Sequence, residues 1–426
     1  HEAARRHLEA VIARREARTA ALRERVDELD AAVRARRTWR FEASRDGELA
    51  SFLHQSLGAL LGEFARLAEL RADVARRARW AARVVEVSRA HPEARHSWQQ
   101  VREAIATSPR YAGRDVDLRQ EHVVGLVPIG ENPATGLWEF YHLRSAWDGE
   151  ADPAAIPIPT HRRDGSVDVT AETGVVFVLL PGGEGWTGAQ AGDPDARHHD
   201  RFAGADEAPV HAVELAPFFL ARHELTRAQW RRLTGTAPFW WGADLQYDGD
   251  PPIGGAHPAD SMSWTEADAW TRRQRLALPT EAEWEYGCRG GTGTPWWTGG
   301  DLRSLAGSAN LRDETAKEQH TRWPTPAPFR DGFTGIAPAG SFRANAFGLF
   351  DVHGNVAEWC ADVYRAFGTG RGRNDGFRVD GYGTHCFRGG SSTSHPVGAR
   401  ASSRYEAQAD QRDDRLGVRV ARRLEG

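Results

Sequence analysis

Glycine and tryptophan constrain this chain most: 44 glycines and 16 tryptophans in 426 residues, most of them in the second half. Glycine exceeds the usual share of about 7%. It favours turns and weakens helix and strand interiors. The second half is therefore expected to bury large aromatic rings under loops, with many turns and little regular secondary structure.

Residues 1–108 differ in kind. They are rich in Ala, Arg, Glu and Leu, and Pro92 is the sole proline before Pro109. Leu22, Val26, Leu29 and Val33 step by four, three and four. Leu53, Leu57, Leu60, Phe64, Leu67 and Val74 keep that rhythm, the spacing of an a/d seam. A break at Ser44-Arg-Asp-Gly47 predicts two antiparallel helices, each about 50 Å long at 1.5 Å per residue. A short third helix is expected around Trp98, Val101 and Ile105. This hairpin reads as a spacer or an oligomerisation element, or as a cap on the domain after it. Its five histidines show no paired helix-face spacing of the kind a metal site needs.

Residues 112–171 read as short strands, Val123–Ile129 and Gly136–His142, followed by a Pro- and Asp-rich connector. The expected division is 1–111 helical stalk, 112–171 connector and 172–426 main domain.

The main domain carries distinct blocks. Gly348-Leu-Phe-Asp-Val-His-Gly-Asn-Val-Ala-Glu-Trp-Cys360 is dense in oxygen donors: Asp351, Asn355 and Glu358, with Gly354 free to turn carbonyls inward. Ca²⁺ takes six to eight such ligands without rigid geometry. Upstream, Leu278-Pro-Thr-Glu-Ala-Glu-Trp284 holds a capping box, Thr280 with Glu283, that predicts a short helix carrying Trp284 inward. Further blocks are Val175–Gly183, Phe218–Thr226, Ser263-Trp264, Phe387-Arg-Gly-Gly-Ser391, Arg400, Arg404 and Leu416–Val420.

In order, spacing and wording these blocks resemble the sulfatase-modifying factor family, whose namesake is the formylglycine-generating enzyme, over roughly residues 172–423. The resemblance implies an α+β, C-type-lectin-like domain of low regular secondary structure. It also implies structural Ca²⁺. One site would use Asn310, the Leu311 carbonyl, Asp331 and the Phe333 carbonyl. A second would use Asp351, the carbonyls of Gly354 and Val356, and Glu358. Residues 125–140, through Gly125–Gly130 and Gly136–Phe140, further resemble the segment that joins bacterial serine/threonine kinases to such a tail. The chain itself lacks the kinase motifs.

The family's oxidases place two cysteines after Gly-Gly-Ser. Here those positions hold Ser394 and Ala399, and no cysteine follows Cys386. A hydroxyl does not replace a soft thiolate at Cu(I). The nonheme-iron branch of the family takes histidines from a helical bundle, and the helices here lack a matching pair. The expectation is thus a recognition module without a catalytic site, with a family oxidoreductase and a purely structural oligomerisation piece as alternatives. Its candidate ligand surface comprises Trp240, Trp241, Ser392, Ser394, His395, Arg400 and Tyr405, with Trp296 and Trp297 as further aromatic surface. Arg388, Arg400, Arg404 and Arg419 fall on family arginine positions and equally suit ion pairs that tie loops together.

Composition narrows the partners. A net charge of −4 gives no electrostatic footprint for nucleic acid, and no run of 18 apolar residues suits a membrane. Three cysteines without a CxxC fit a reducing cytoplasm. The start at His1 suggests a piece of a longer polypeptide with an upstream domain. The expected partner is a protein or peptide.

Overall fold

A computed structural model describes residues 17–28, 45–240, 249–322, 324–367 and 383–424. The chain divides into two units, residues 1–79 and 80–426.

In the first unit residues 17–28 are helical, and a helix begins at Arg45. Arg45, Asp46 and Gly47, expected to turn the chain, already belong to that helix. Ser44 and residues 29–43 lie outside the described residues. Leu53, Leu60, Leu67 and Val74 are 47–57% exposed, so the described residues leave the heptad face uncovered.

In the second unit the expected boundary at residue 172 does not divide the structure. Strands β1 (Leu126–Glu131) and β2 (Trp138–His142) join β3 (Val176–Leu180), β6 (Phe218–Ala221) and β11 (Ala421–Arg423). They form one antiparallel sheet in the order β1-β2-β3-β6-β11. The cause is apolar: Phe140, Phe177 and Phe219 are fully buried, and the Phe219 ring meets each of the other two edge to face. Residues read as a connector are thus core strands.

Nor is the helical region merely a stalk. The helix Trp98–Thr107 starts with a capping box from Ser97 and buries Trp98, Val101 and Ile105 in the main core. Trp80, Val84 and Val87 pack with Val127, Tyr141 and Trp147, and Trp80 stacks on Trp147 at 4.7 Å. Removing residues 1–108 would therefore remove part of the core.

Two smaller sheets complete the unit. β4 (Gly183–Thr187) pairs with β5 (His211–Leu215). β7 (Ala357–Val363), β8 (His385–Arg388), β9 (Tyr405–Ala407) and β10 (Leu416–Gly417) form a second sheet in the order β10-β7-β8-β9. The predicted capping box at Thr280 starts the helix Glu281–Arg289, which buries Trp284. That helix packs against β4, β7 and β8. Long loops between these pieces carry the functional candidates.

Candidate binding and metal sites

The Gly348–Cys360 block is fixed from both ends. The Asn345 side chain donates to the Gly287 and Cys288 carbonyls at 2.7 and 3.1 Å, fastening the block to the helix Glu281–Arg289. Its oxygen accepts from the amides of Phe347 and Leu349. Beyond, Asp351, Gly354 and Asn355 have φ of 57°, 90° and 62°. A Cβ on Gly354 would lie 1.9 Å from the Asn310 carbonyl oxygen, so only glycine lets the two loops approach. The Asn355 amide donates to that carbonyl at 2.8 Å.

This contact brings the two expected ligand sets side by side. In the first, Asp331 accepts from the amides of Leu311 (3.0 Å) and Phe333 (2.8 Å). The Asn310 amide nitrogen donates to Gly335 and Asn355, but its buried Oδ1 has no hydrogen-bond partner. Burial, aided by Asp313 and Asp250, pushes the Asp331 carboxyl up to about 8. Asp313 accepts from the Asp331 amide, and Asp250 from the amides of Thr334 and Gly335.

In the second set Asp351 is buried. One carboxylate oxygen accepts from the Gly340 amide at 2.6 Å, and the other has no partner. Burial raises its carboxyl to about 6. Glu358 has other duties: Arg419 grips both its oxygens at 2.7–3.1 Å, and the Trp284 indole donates at 2.6 Å. Glu224 lies close by, accepting from Asn355 and the Val356 amide. Burial and the Asp351 and Glu358 charges push its carboxyl well up.

The fit to a hard cation differs between the sets. Two buried oxygens, Asn310 Oδ1 and Asp351 Oδ1, lack donors, and such atoms require an explanation. Both are donor types that Ca²⁺ prefers. Among the described residues, no group of three or more His, Cys, Asp or Glu is placed to hold a metal ion. Any site here would lean on amide and carbonyl oxygens. Asn310 suits that role, with the free oxygen of Asp351 beside it; Glu358 is largely committed to Arg419.

The four family-position arginines are all buried in ion pairs. Arg388 bonds Glu281 at 2.9 Å and Glu285 at 3.2 Å. Arg404 holds Glu281 through two nitrogens at 2.5 and 2.8 Å. Arg400 reaches Asp200 at 2.5 Å and Glu207 at 2.6 Å. Arg419 holds Glu358. Burial would raise Glu281, but Arg388 and Arg404 outweigh it and hold the carboxyl at about 2. These pairs tie the segment after β8 to the helix Glu281–Arg289 and the loop near Asp200.

The expected ligand surface is accordingly smaller. Arg400 and Ser392 are buried rather than displayed, because the first is consumed by its ion pairs. Trp296 is buried too, its indole donating to Pro396. Trp241 lies outside the described residues. Ser394 and His395 are half-buried, Trp240 is 71% exposed, and Tyr405 is exposed and stacks on Phe387 at 5.3 Å.

At the positions where the resemblance puts catalytic thiolates, Ser394 bonds back to the Ser391 amide at 3.0 Å, and Ala399 sits fully buried with Trp296, Leu311 and Phe329. Cys288, Cys360 and Cys386 are free and buried, and burial raises each thiol above its ordinary range. Sequence reasoning missed Glu224, Asp250 and Asp313. Glu224 stands inside the block Phe218–Thr226, but nothing near Asp250 or Asp313 in the sequence marks a site that only the loop folding assembles.

Loops held by buried arginines and acidic side chains over a small mixed core define a glycine-rich α+β domain. Residues 166–424 match the sulfatase-modifying factor enzyme 1-like domain, more than half the chain. The chain belongs to that family. It is 31% identical over 232 residues to a formylglycine-generating enzyme of Thermomonospora curvata, spanning 45% of this chain and 72% of that protein. It is 31% identical over 169 residues to the inactive C-alpha-formylglycine-generating enzyme 2 of Mus musculus, covering 38% of this chain and 48% of that protein. A serine/threonine-protein kinase of Chlamydia caviae is 32% identical over 174 residues, 37% of this chain and 25% of the kinase.

Proposed function

We propose that the domain is a Ca²⁺-stabilised module that binds a protein or peptide and does not carry out the family's copper oxidation. The observation that supports this reading is the pair Ser394 and Ala399. Cu(I) needs soft sulfur ligands; one position offers a hydroxyl tied to its own turn, the other a methyl group inside an apolar cluster. The three thiols of the chain are elsewhere and buried. A mouse relative that is named inactive agrees with this reading.

The ligand would meet the surface around Trp240, Ser394, His395 and Tyr405, where exposed aromatic rings can supply binding energy. Asn310 and Asp331, with the carbonyls of Leu311 and Phe333, would hold one Ca²⁺. Asp351 with the Gly354 and Val356 carbonyls would supply a second, weaker set beside Glu358. The ion would screen the buried carboxylates and add its binding energy to folding. The similarity to a kinase supports a place beside signalling domains, and free buried thiols support a reducing cytoplasm. No described helix is long and apolar enough to cross a membrane.

The curated enzyme from Thermomonospora favours the second reading, a formylglycine-forming oxidase. One experiment separates them. The protein is incubated with copper and a cysteine-containing sulfatase-type peptide, and the peptide is weighed by mass spectrometry. The expected result is unmodified peptide; conversion of the cysteine to formylglycine overturns the binding-module reading.

A further inference from the structure

Away from these loops, a cleft of about 570 Å³ opens on the edge of the main sheet. Its walls come from the approach to the helix Trp98–Thr107, from the β1–β2 hairpin and from the loop at residues 161–163. Almost all of this precedes residue 166, where the family match begins. The volume lies within the range of about 300–1,000 Å³ typical of small-molecule sites.

The lining is basic. Arg95, Arg162 and Arg163 face a single carboxylate, Glu131. Arg162 is paired with Asp168 at 2.5 Å. Arg95 and Arg163 have no acidic partner among the described residues. Trp138 lines the same cleft; it is 3% exposed, and its indole N–H is buried without an acceptor. An indole nitrogen can only donate, and a buried donor left unpaired is unfavourable. An oxygen entering from the cleft would supply the missing acceptor.

The site is also held rigid. The His161 Nε2 meets the fully buried Glu139 at 2.9 Å, and Glu139 is fixed by Asn132 and Arg222. His96 stands edge-on to Trp138 at 5.2 Å. At Gly130, with φ of 139°, a Cβ would press on the His96 ring at 3.2 Å. Glycine there leaves His96 its place at the floor.

We propose that this cleft binds a phosphate group, held by the Arg95 and Arg163 guanidiniums and the Trp138 N–H. Two guanidiniums match a phosphate carrying close to two negative charges at neutral pH, and guanidinium forks fit its oxygens better than a point charge does. The cleft is larger than a phosphate ion, so the phosphate can be free or the head of a small organic molecule.

Calorimetric titration of the whole chain at low salt tests this with inorganic phosphate, with acetate as a monoanion control, and with adenosine monophosphate. Phosphate is expected to bind at least tenfold more tightly than acetate. Adenosine monophosphate binding more tightly than phosphate identifies an organic phosphate; equal or weaker binding identifies the free ion. Arg95→Ala/Arg163→Ala, at two exposed positions, should abolish binding while the far-UV circular dichroism stays unchanged. Trp138→Phe should weaken it by about tenfold, the loss of one hydrogen bond to a charged group. No heat with phosphate, or an affinity that survives the double arginine change, overturns the proposal.

Discussion

Two regions bury carboxylates in opposite ways. Around the helix Glu281–Arg289, each acid is met by a guanidinium: Glu281 by Arg388 and Arg404, Glu285 by Arg289 and Arg388. Around the loops at Asn310 and Asp351, the acids are met mainly by backbone amides, and two oxygens have no donor. The first region carries its positive charge in the sequence. The second is short of it, and Asp331 is correspondingly pushed up to about 8 by burial and its acidic neighbours. Loops of similar irregularity can thus be closed by internal ion pairs or left dependent on a cation from solution.

The sharpest break of this contrast is Arg388→Ala. It takes one of two guanidiniums from each of Glu281 and Glu285, leaving Arg404 and Arg289, and breaking buried pairs of this kind costs about 3–5 kcal/mol. Denaturant unfolding should show that loss with or without Ca²⁺. A loss below about 1 kcal/mol would mean the network is not a stabilising unit.

Acid should separate the regions next. The folded pKa of Glu281 is depressed to about 2. Its contribution is present above the ordinary value near 4.5 and is lost as pH falls toward 2. The expected decline is on the order of 3 kcal/mol across that window, and Glu281→Gln should flatten it.

Calcium supplies the complementary test. At a hundredfold excess over its Kd, an ion that binds the folded state alone adds about 2.7 kcal/mol. A chelator should remove that increment from the native protein. Asn310→Ala should shrink what the chelator removes to the contribution of the second, weaker set at Asp351. In chelator, Asp331→Asn should be stabilising by about 1 kcal/mol, because it deletes a buried acid without a cationic partner. Loss of stability in chelator for that variant would show that Asp331 is satisfied by the protein alone.

The smallest effect is expected at the surface. Trp240→Ala should change stability by no more than about 0.5 kcal/mol while weakening capture of a peptide ligand. A large stability loss would make Trp240 part of the packing.

Much of this was legible in the sequence. The capping box at Thr280, the inward Trp284, the arginine positions and the Gly354–Asn355 turn each rest on local chemistry that a short stretch of residues states in full. Arg400 suited both an exposed ligand contact and a loop-tying ion pair, and its sequence neighbours do not decide between them. Its partners Asp200 and Glu207 are about 200 positions away and appear only when the loops close. The sheet that runs across residue 172 was hidden for a similar reason. Strand pairing between β2 and β3 joins segments separated by a Pro-rich loop, and that loop looks like a linker until the sheet is formed.

That pairing also bears on descent. The recognisable family segment begins at residue 166, after β1 and β2. A gene fusion cut at that point would leave β3 with a naked edge, offering unpaired amides and apolar rings to any passing strand. A transferable piece that keeps this sheet and its packed helices whole would run from about Trp80, where the compact unit begins, and so be longer than the family segment.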